Sequence, residues 1–239
     1  MILFNKKTPF EENYFMKLTV FEKKKVINCC NIDLIPDVTF NESKLYPIEW
    51  FKQQFNFIDD LNLREHLADT YYQTRFAYSL MRTLSLPLGK HKGILKLQII
   101  EYASICEALL NYTITKYFKD EFESTYASVE YQDISNSISN LLKVSFDGHD
   151  TFFCKKKTKK ASITYCSNPQ KAEFAFKKGI ITLDTMNAYC TLYDLRNNAH
   201  ILKAAANNYY PKIKEAKSAY ELLYTFIAEI RSFFVSNPT

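Results

Sequence analysis

Leu183–Lys203 reads LDTMNAYCTLYDLRNNAHILK, and the way it folds decides how the rest of the chain is arranged. Wound as one helix at about 100° per residue, it has two faces that both require cover. Ala188, Leu192, Leu195, Ala199 and Leu202 fall in one arc. Met186, Tyr189, Cys190, Tyr193, Arg196, Asn197 and His200 fall in the opposite one. Asn187, Thr191, Asp194 and Asn198 are left as a narrow strip suited to water. A helix covered on both sides is expected at the middle of a structure. Arg196 and His200 stand i, i+4 on it, which makes them surface neighbours.

Downstream, Asn207-Asn208 and Pro211 close this segment, and Ile213 to Val235 is the last long helix. Its apolar stripe is Ala216, Ala219, Tyr220, Leu223, Phe226, Ile227, Ile230 and Phe234. Upstream, residues 168–179 read as a connector with at most one helical turn. Before it, TFFCKKKTKKASITYC (151–166) has β-type residues at both ends. It is expected as a hairpin with a basic tip of Lys155, Lys156, Lys157, Lys159 and Lys160. Lysines of this kind blunt an exposed strand edge or attract phosphates. Asp147-Gly148-His149-Asp150 reads as a solvated turn, and Asp133 to Val144 as a short helix.

Ile94 to Phe118 is apolar nearly all round, so it is expected as a central helix with several neighbours. Its charges Glu101 and Glu107 read either as edge residues, both paired with a lysine, or with one of them facing His200. Leu61 to Leu84 is helical by its pattern of Leu63, Leu67, Tyr71, Phe76, Leu80 and Leu84. Pro47 opens a shorter helix, as proline in a first turn allows. Pro87-Leu88-Gly89 and Gly93 mark a boundary between residues 1–90, a mostly helical extension, and residues 91–239. No internal repeat is visible.

Composition supports a helical, globular chain. Of 239 residues, 47% are hydrophobic and 15% aromatic, while Gly 4 and Pro 7 leave few residues for tight turns. Of the 31 basic residues only five are Arg, so a guanidinium beside an imidazole on a tyrosine-rich face stands out. The six cysteines show no zinc-ligand spacing. Met1 to Phe10 is too short and polar for a signal peptide, and no apolar run reaches spanning length. A cytoplasmic protein with reduced thiols and no membrane partner is expected.

Three chemistries suit Arg196 and His200. They are structural, with Arg196 paired to a carboxylate and His200 satisfied in the core. They ligate a metal, which a cation one turn away opposes. Or they act on a phosphodiester without metal or cofactor. Cleavage of RNA by its own 2′-hydroxyl requires a group that takes a proton near neutral pH, which suits His. It also requires fixed positive charge facing the phosphorane, which suits Arg. Asn197 lies on the same face, and Tyr193 and Tyr189 lie one and two turns upstream, where rings stack on splayed bases.

The order of a long apolar helix with an embedded Glu, a shorter helix, an insert, a helix carrying LYDLRNNAHI and a long aromatic-rich helix resembles the HEPN superfamily (higher eukaryotes and prokaryotes nucleotide-binding). The likeness covers roughly residues 93–236. The family's motif is an Arg, usually followed by Asn or Asp, then a His four to six intervening residues later. Arg196, Asn197 and His200 match it with three residues between Arg and His. The resemblance implies an up-down helical bundle carrying the basic hairpin as an insert. It also implies a homodimer that brings two Arg/His pairs into one cleft. It further implies a metal-independent endoribonuclease of a prokaryotic antiviral defence or toxin–antitoxin system, with RNA as substrate and an antitoxin as a possible partner protein. The alternative it carries is a catalytically silent nucleotide-binding or dimerisation module, which the short Arg–His spacing favours.

Overall fold

A computed structural model describes residues 46–83, 92–133, 144–146, 149–151 and 154–238. The readings of residues 1–45, of the Pro87–Gly89 break, of a helix over 134–143 and of the Asp147-Gly148 turn lie outside the described residues. What is described is mainly helical with a little antiparallel sheet. The helices are α1 (Ile48–Gln54), α2 (Leu61–Thr83), α3 (Lys92–Thr125), α4 (Asn168–Lys177), α5 (Leu183–Asn198), α6 (Ile201–Ala206) and α7 (Ile213–Ser236). The strands are β1 (Ser128–Asp133), β2 (Val144–Phe146), β3 (His149–Thr151) and β4 (Cys154–Lys159). No described helix is long and apolar enough to cross a membrane.

The expected central helix is α3. Leu95, Ile99, Tyr102, Ala103, Ile105, Cys106, Leu109, Leu110 and Ile114 are buried around most of its circumference. α2, α4, α5 and α7 pack against it. At Phe118, where the apolar pattern stops, the backbone leaves helical geometry (φ −138°, ψ 20°) and a kink follows. α7 buries every residue of its expected stripe, and its seam against α3 is sealed by aromatic rings, as where Tyr102 and Tyr220 lie 5.8 Å apart. From the N-terminal part, Phe51, Phe55, Ile58, Leu67 and Tyr71 join the same core as α3 and α7.

Residues 168–179 are more than a connector. Ser167 caps α4, its hydroxyl accepting from Gln170 N while the Gln170 carboxamide accepts from Ser167 N, and Pro169 sits in the first turn. Gly179, at φ 67°, turns the chain after this helix, and Ile180 N donates back to Ala175 O at 2.9 Å. α5 is started by Thr182 and by Glu229 of α7. The Glu229 carboxylate accepts from Thr182 N at 3.0 Å and from the Thr182 and Thr185 hydroxyls at 2.9 and 2.8 Å. A carboxylate at a helix N-terminus is stabilising and here pins α5 to α7.

The expected hairpin over 151–166 does not form. The lysines of residues 155–159 are in strand β4, whose antiparallel partner is β1, with Ser128 opposite Lys159 and Asp133 opposite Cys154. The second sheet pairs β2 with β3, so His149 stands in a strand and not in a turn. Lys160 ties the base of the β1–β4 ribbon to α3 through Asp120 at 3.5 Å and Glu123 at 4.0 Å.

Candidate functional site

The segment Leu183–Lys203 is two helices and not one. α5 ends at Asn198, and His200 is extended (φ −63°, ψ 139°) as the residue that opens α6. The last turn closes through Ala199 N, which donates to Leu195 O at 2.9 Å and Arg196 O at 3.1 Å. Asn197, Asn198 and His200 are weak helix formers and stand at the break, although Ala199 and the residues from Leu202 to Ala206 are strong ones. Arg196 and His200 are therefore not partners one turn apart on a continuous face. Burial reaches both arcs where they adjoin: Tyr189 of one and Leu192 and Ala199 of the other are buried with Thr185, while Ala188 faces solvent. The polar strip is where it was expected at Asn187, Thr191 and Asp194, all exposed.

Arg196 has a different partner. Its Nη1 donates to Glu107 Oε2 from α3, and the other oxygen of that carboxylate lies 4.0 Å from Lys171 Nζ of α4. Three helices thus meet on one carboxylate flanked by two cations. The side chains of Arg196 and Glu107 remain 24% and 26% exposed, whereas that of Lys171 is only 2% exposed. Burial depresses the Lys171 ammonium below its ordinary value, an effect the Glu107 carboxylate opposes. Glu107 thus has both a lysine partner, as an edge residue would, and the arginine of the candidate motif. Glu101 makes no ion pair among the described residues.

The polar character extends beyond this trio. Asn111 Oδ1 on α3, Asn168 Oδ1 on α4 and Tyr189 Oη on α5 are buried without a hydrogen-bond partner among the described residues. All three helices that supply the ion cluster also supply such an atom. Unsatisfied buried polar atoms are costly; Tyr71 Oη on α2 and Arg231 Nε on α7 are two more among the described residues.

Tyr189 is not a stacking platform. It is fully buried, its ring 5.4 Å from Phe226, and burial, with Cys106 and Glu107 nearby, pushes its phenol far up. Tyr193 is half-buried and its ring is occupied by Arg196, whose guanidinium carbon sits 5.5 Å from the ring centroid. Asn197 is half-buried beside them. His200 is exposed, and its imidazole makes no hydrogen bond or ion pair among the described residues. Arg196 and Tyr193 are therefore brought together with Glu107 and Lys171, while His200 lies beyond the helix end with its ring available.

Lys155, Lys156, Lys157, Lys159 and Lys160 are all exposed. Their ribbon is anchored near Asp120, thirteen residues beyond Glu107 on α3, roughly 20 Å along a helix rising 1.5 Å per residue. Lysines and arginine do not form one cluster. Two features escape a reading of periodicity. Lys171 sits on a helix that looked like a connector, and Arg75 is buried among Tyr78, Tyr102 and Tyr220, its guanidinium 4.3 Å from the Tyr220 centroid. Among the described residues no group of three or more His, Cys, Asp or Glu is placed to hold a metal ion. In comparison with known proteins, the chain matches no family model, no curated protein and no solved structure.

Proposed function

We propose that the chain is a metal-independent endoribonuclease of the HEPN kind, acting as a homodimer in a cytoplasmic defence or toxin–antitoxin role. The observation that carries this reading is the division of labour at the end of α5. Glu107 takes one edge of the Arg196 guanidinium, Nη2 and Nε make no hydrogen bond among the described residues, and His200 stands exposed four residues on. In the reaction, His200 removes the proton from a ribose 2′-hydroxyl, whose oxygen attacks the adjacent phosphorus. The bond to the 5′-oxygen breaks, a proton passes to that oxygen, and a 2′,3′-cyclic phosphate remains. Arg196 stabilises the doubly charged phosphorane through its free edge, and Asn197 helps to orient it. A second copy supplies the rest of the cleft. Ile201 and Leu202 of α6 are strongly exposed, and that helix buries none of its residues, which suits an apolar contact across a two-fold axis.

The same helix break favours one other reading, a silent dimerisation or nucleotide-binding module, because Arg196 and His200 no longer share a helical face. Incubation with a mixed RNA pool in EDTA separates the two. The nuclease reading predicts cleavage by the parent protein and at least about 100-fold slower cleavage by His200→Ala and by Arg196→Ala. Equal decay in all three samples leaves the silent module.

A further inference from the structure

We infer that the β1–β4 ribbon is a platform for single-stranded nucleic acid, on which Tyr131 stacks against a base while Lys156 beside it holds the backbone. That the polymer is RNA rests on the function proposed above; the stacking geometry does not. The register places Tyr131 directly opposite Lys156 and Val129 opposite Thr158. Because successive side chains alternate between faces, Val129, Tyr131, Lys156 and Thr158 share one side of the ribbon. Ser128, Glu130, Lys155, Lys157 and Lys159 share the other.

The two sides differ in how their charge is used. On the second, Lys159 donates to Glu130 at 3.0 Å, so part of its positive charge is spent within the ribbon. On the first, Lys156 makes no ion pair among the described residues, and its cross-strand neighbour Tyr131 is 69% exposed. A ribbon whose lysines served only to blunt an edge has no use for a bare tyrosine and valine between them. A two-stranded ribbon solvated on both faces also gains little stability from its own side chains. An exposed ring flanked by cations is what a single strand needs: a flat surface for a base, and charge within reach of the flanking phosphates. The ribbon's base, tied to α3 at Asp120 and Glu123, holds this surface at a fixed end of the central helix. A strand lying on it is anchored roughly 20 Å along α3 from Glu107.

Binding is measured by fluorescence anisotropy on the full-length His200→Ala chain. The probes are a labelled oligouridine of about 12 nucleotides, within the length such platforms occupy, and a duplex RNA of equal length. Tyr131→Ala is expected to weaken oligouridine binding about tenfold without changing the salt slope, as loss of one stacked base requires. Tyr131→Phe keeps the π-face and restores binding to within about twofold. Lys156→Ala lowers the salt slope by about 0.7, the value for one phosphate contact on a single strand. The duplex, whose bases are not free to stack, is expected to bind more weakly and with no dependence on Tyr131. Oligouridine binding by Tyr131→Ala equal to that of its parent overturns the platform, as does the absence of any binding. If the protein with its native His200 leaves RNA intact but Tyr131 still controls binding, the nuclease reading fails and the platform stands.

Discussion

The seam between α3 and α7 and the junction of α3, α4 and α5 are built from the same central helix by opposite rules. Along the seam, Leu109, Leu223, Phe226 and Ile230 are fully buried among aliphatic and aromatic groups, and a buried cation, Arg75, sits against its Tyr102–Tyr220 end. At the junction the groups are charged or polar: partly exposed Glu107 between partly exposed Arg196 and buried Lys171, with Asn111, Asn168 and Tyr189 each holding a buried atom without a hydrogen-bond partner among the described residues. Burial of hydrocarbon stabilises the fold in proportion to its area. Buried ions at best break even against an apolar packing of the same shape. The seam supplies most of the stability, and the junction little.

The largest effect that tests this contrast belongs to the seam. Phe226→Ala removes a ring that lies against Tyr189 and is expected to cost about 3–5 kcal/mol in chemical denaturation. A loss under about 1 kcal/mol removes the seam's claim to dominate. At the junction, Glu107→Gln leaves two cations facing one another and is expected to cost about 2 kcal/mol. That figure is discounted from the value for a fully buried pair because Glu107 and Arg196 both keep contact with water. Lys171→Met relieves a buried ammonium and is expected to change stability by less than about 1 kcal/mol in either direction. A Lys171→Met loss larger than that of Glu107→Gln inverts the account of which ion the cluster is organised around.

The smallest effect is one of pH. Burial raises the phenols of Tyr71, Tyr102 and Tyr189 above the ordinary 10.0, so in the folded chain they stay neutral where the unfolded chain ionises them. Above that value the native state binds more protons than the unfolded one, and stability falls as pH rises. Their contribution is complete below pH 10.0 and is lost above it. Lys171, shifted the other way, contributes a rise toward its ordinary 10.5 that opposes this fall. The melting temperature is therefore expected to drop between about pH 9.5 and 11, with a shallower drop in Tyr189→Phe. A flat profile contradicts the burial of these phenols.

The parts legible in the sequence are those where a single face meets a single environment over many turns. The stripe of α7, the all-round apolar run of α3 and its end at Phe118 follow from helical periodicity. The helix stop at Asn207-Asn208 is also readable, and Asn208 takes positive φ there. The earlier stop at Asn197-Asn198 is not, because apolar Ile201 and Leu202 follow and continue the helical pattern across the break. Their exposure appears only once the fold is known. β1 was hidden for another reason: its partner lies some thirty residues away, and cross-strand register is not a local property. Lys171 and Arg75 were hidden because burial of a cation depends on neighbours from other helices, which spacing along one helix does not report. A carboxylate partner for Arg196 was one of the readings open in the sequence, whereas the choice of Glu107 and the presence of Lys171 came only with the packing of three helices.

The chemistry proposed for the end of α5 is tested most directly by the 3′ terminus left on RNA incubated with the protein in EDTA. The account predicts a 2′,3′-cyclic phosphate, formed only where the nucleotide carries a 2′-hydroxyl and not formed by His200→Ala. A 3′-hydroxyl terminus, or cutting that continues through a 2′-deoxy position, contradicts it.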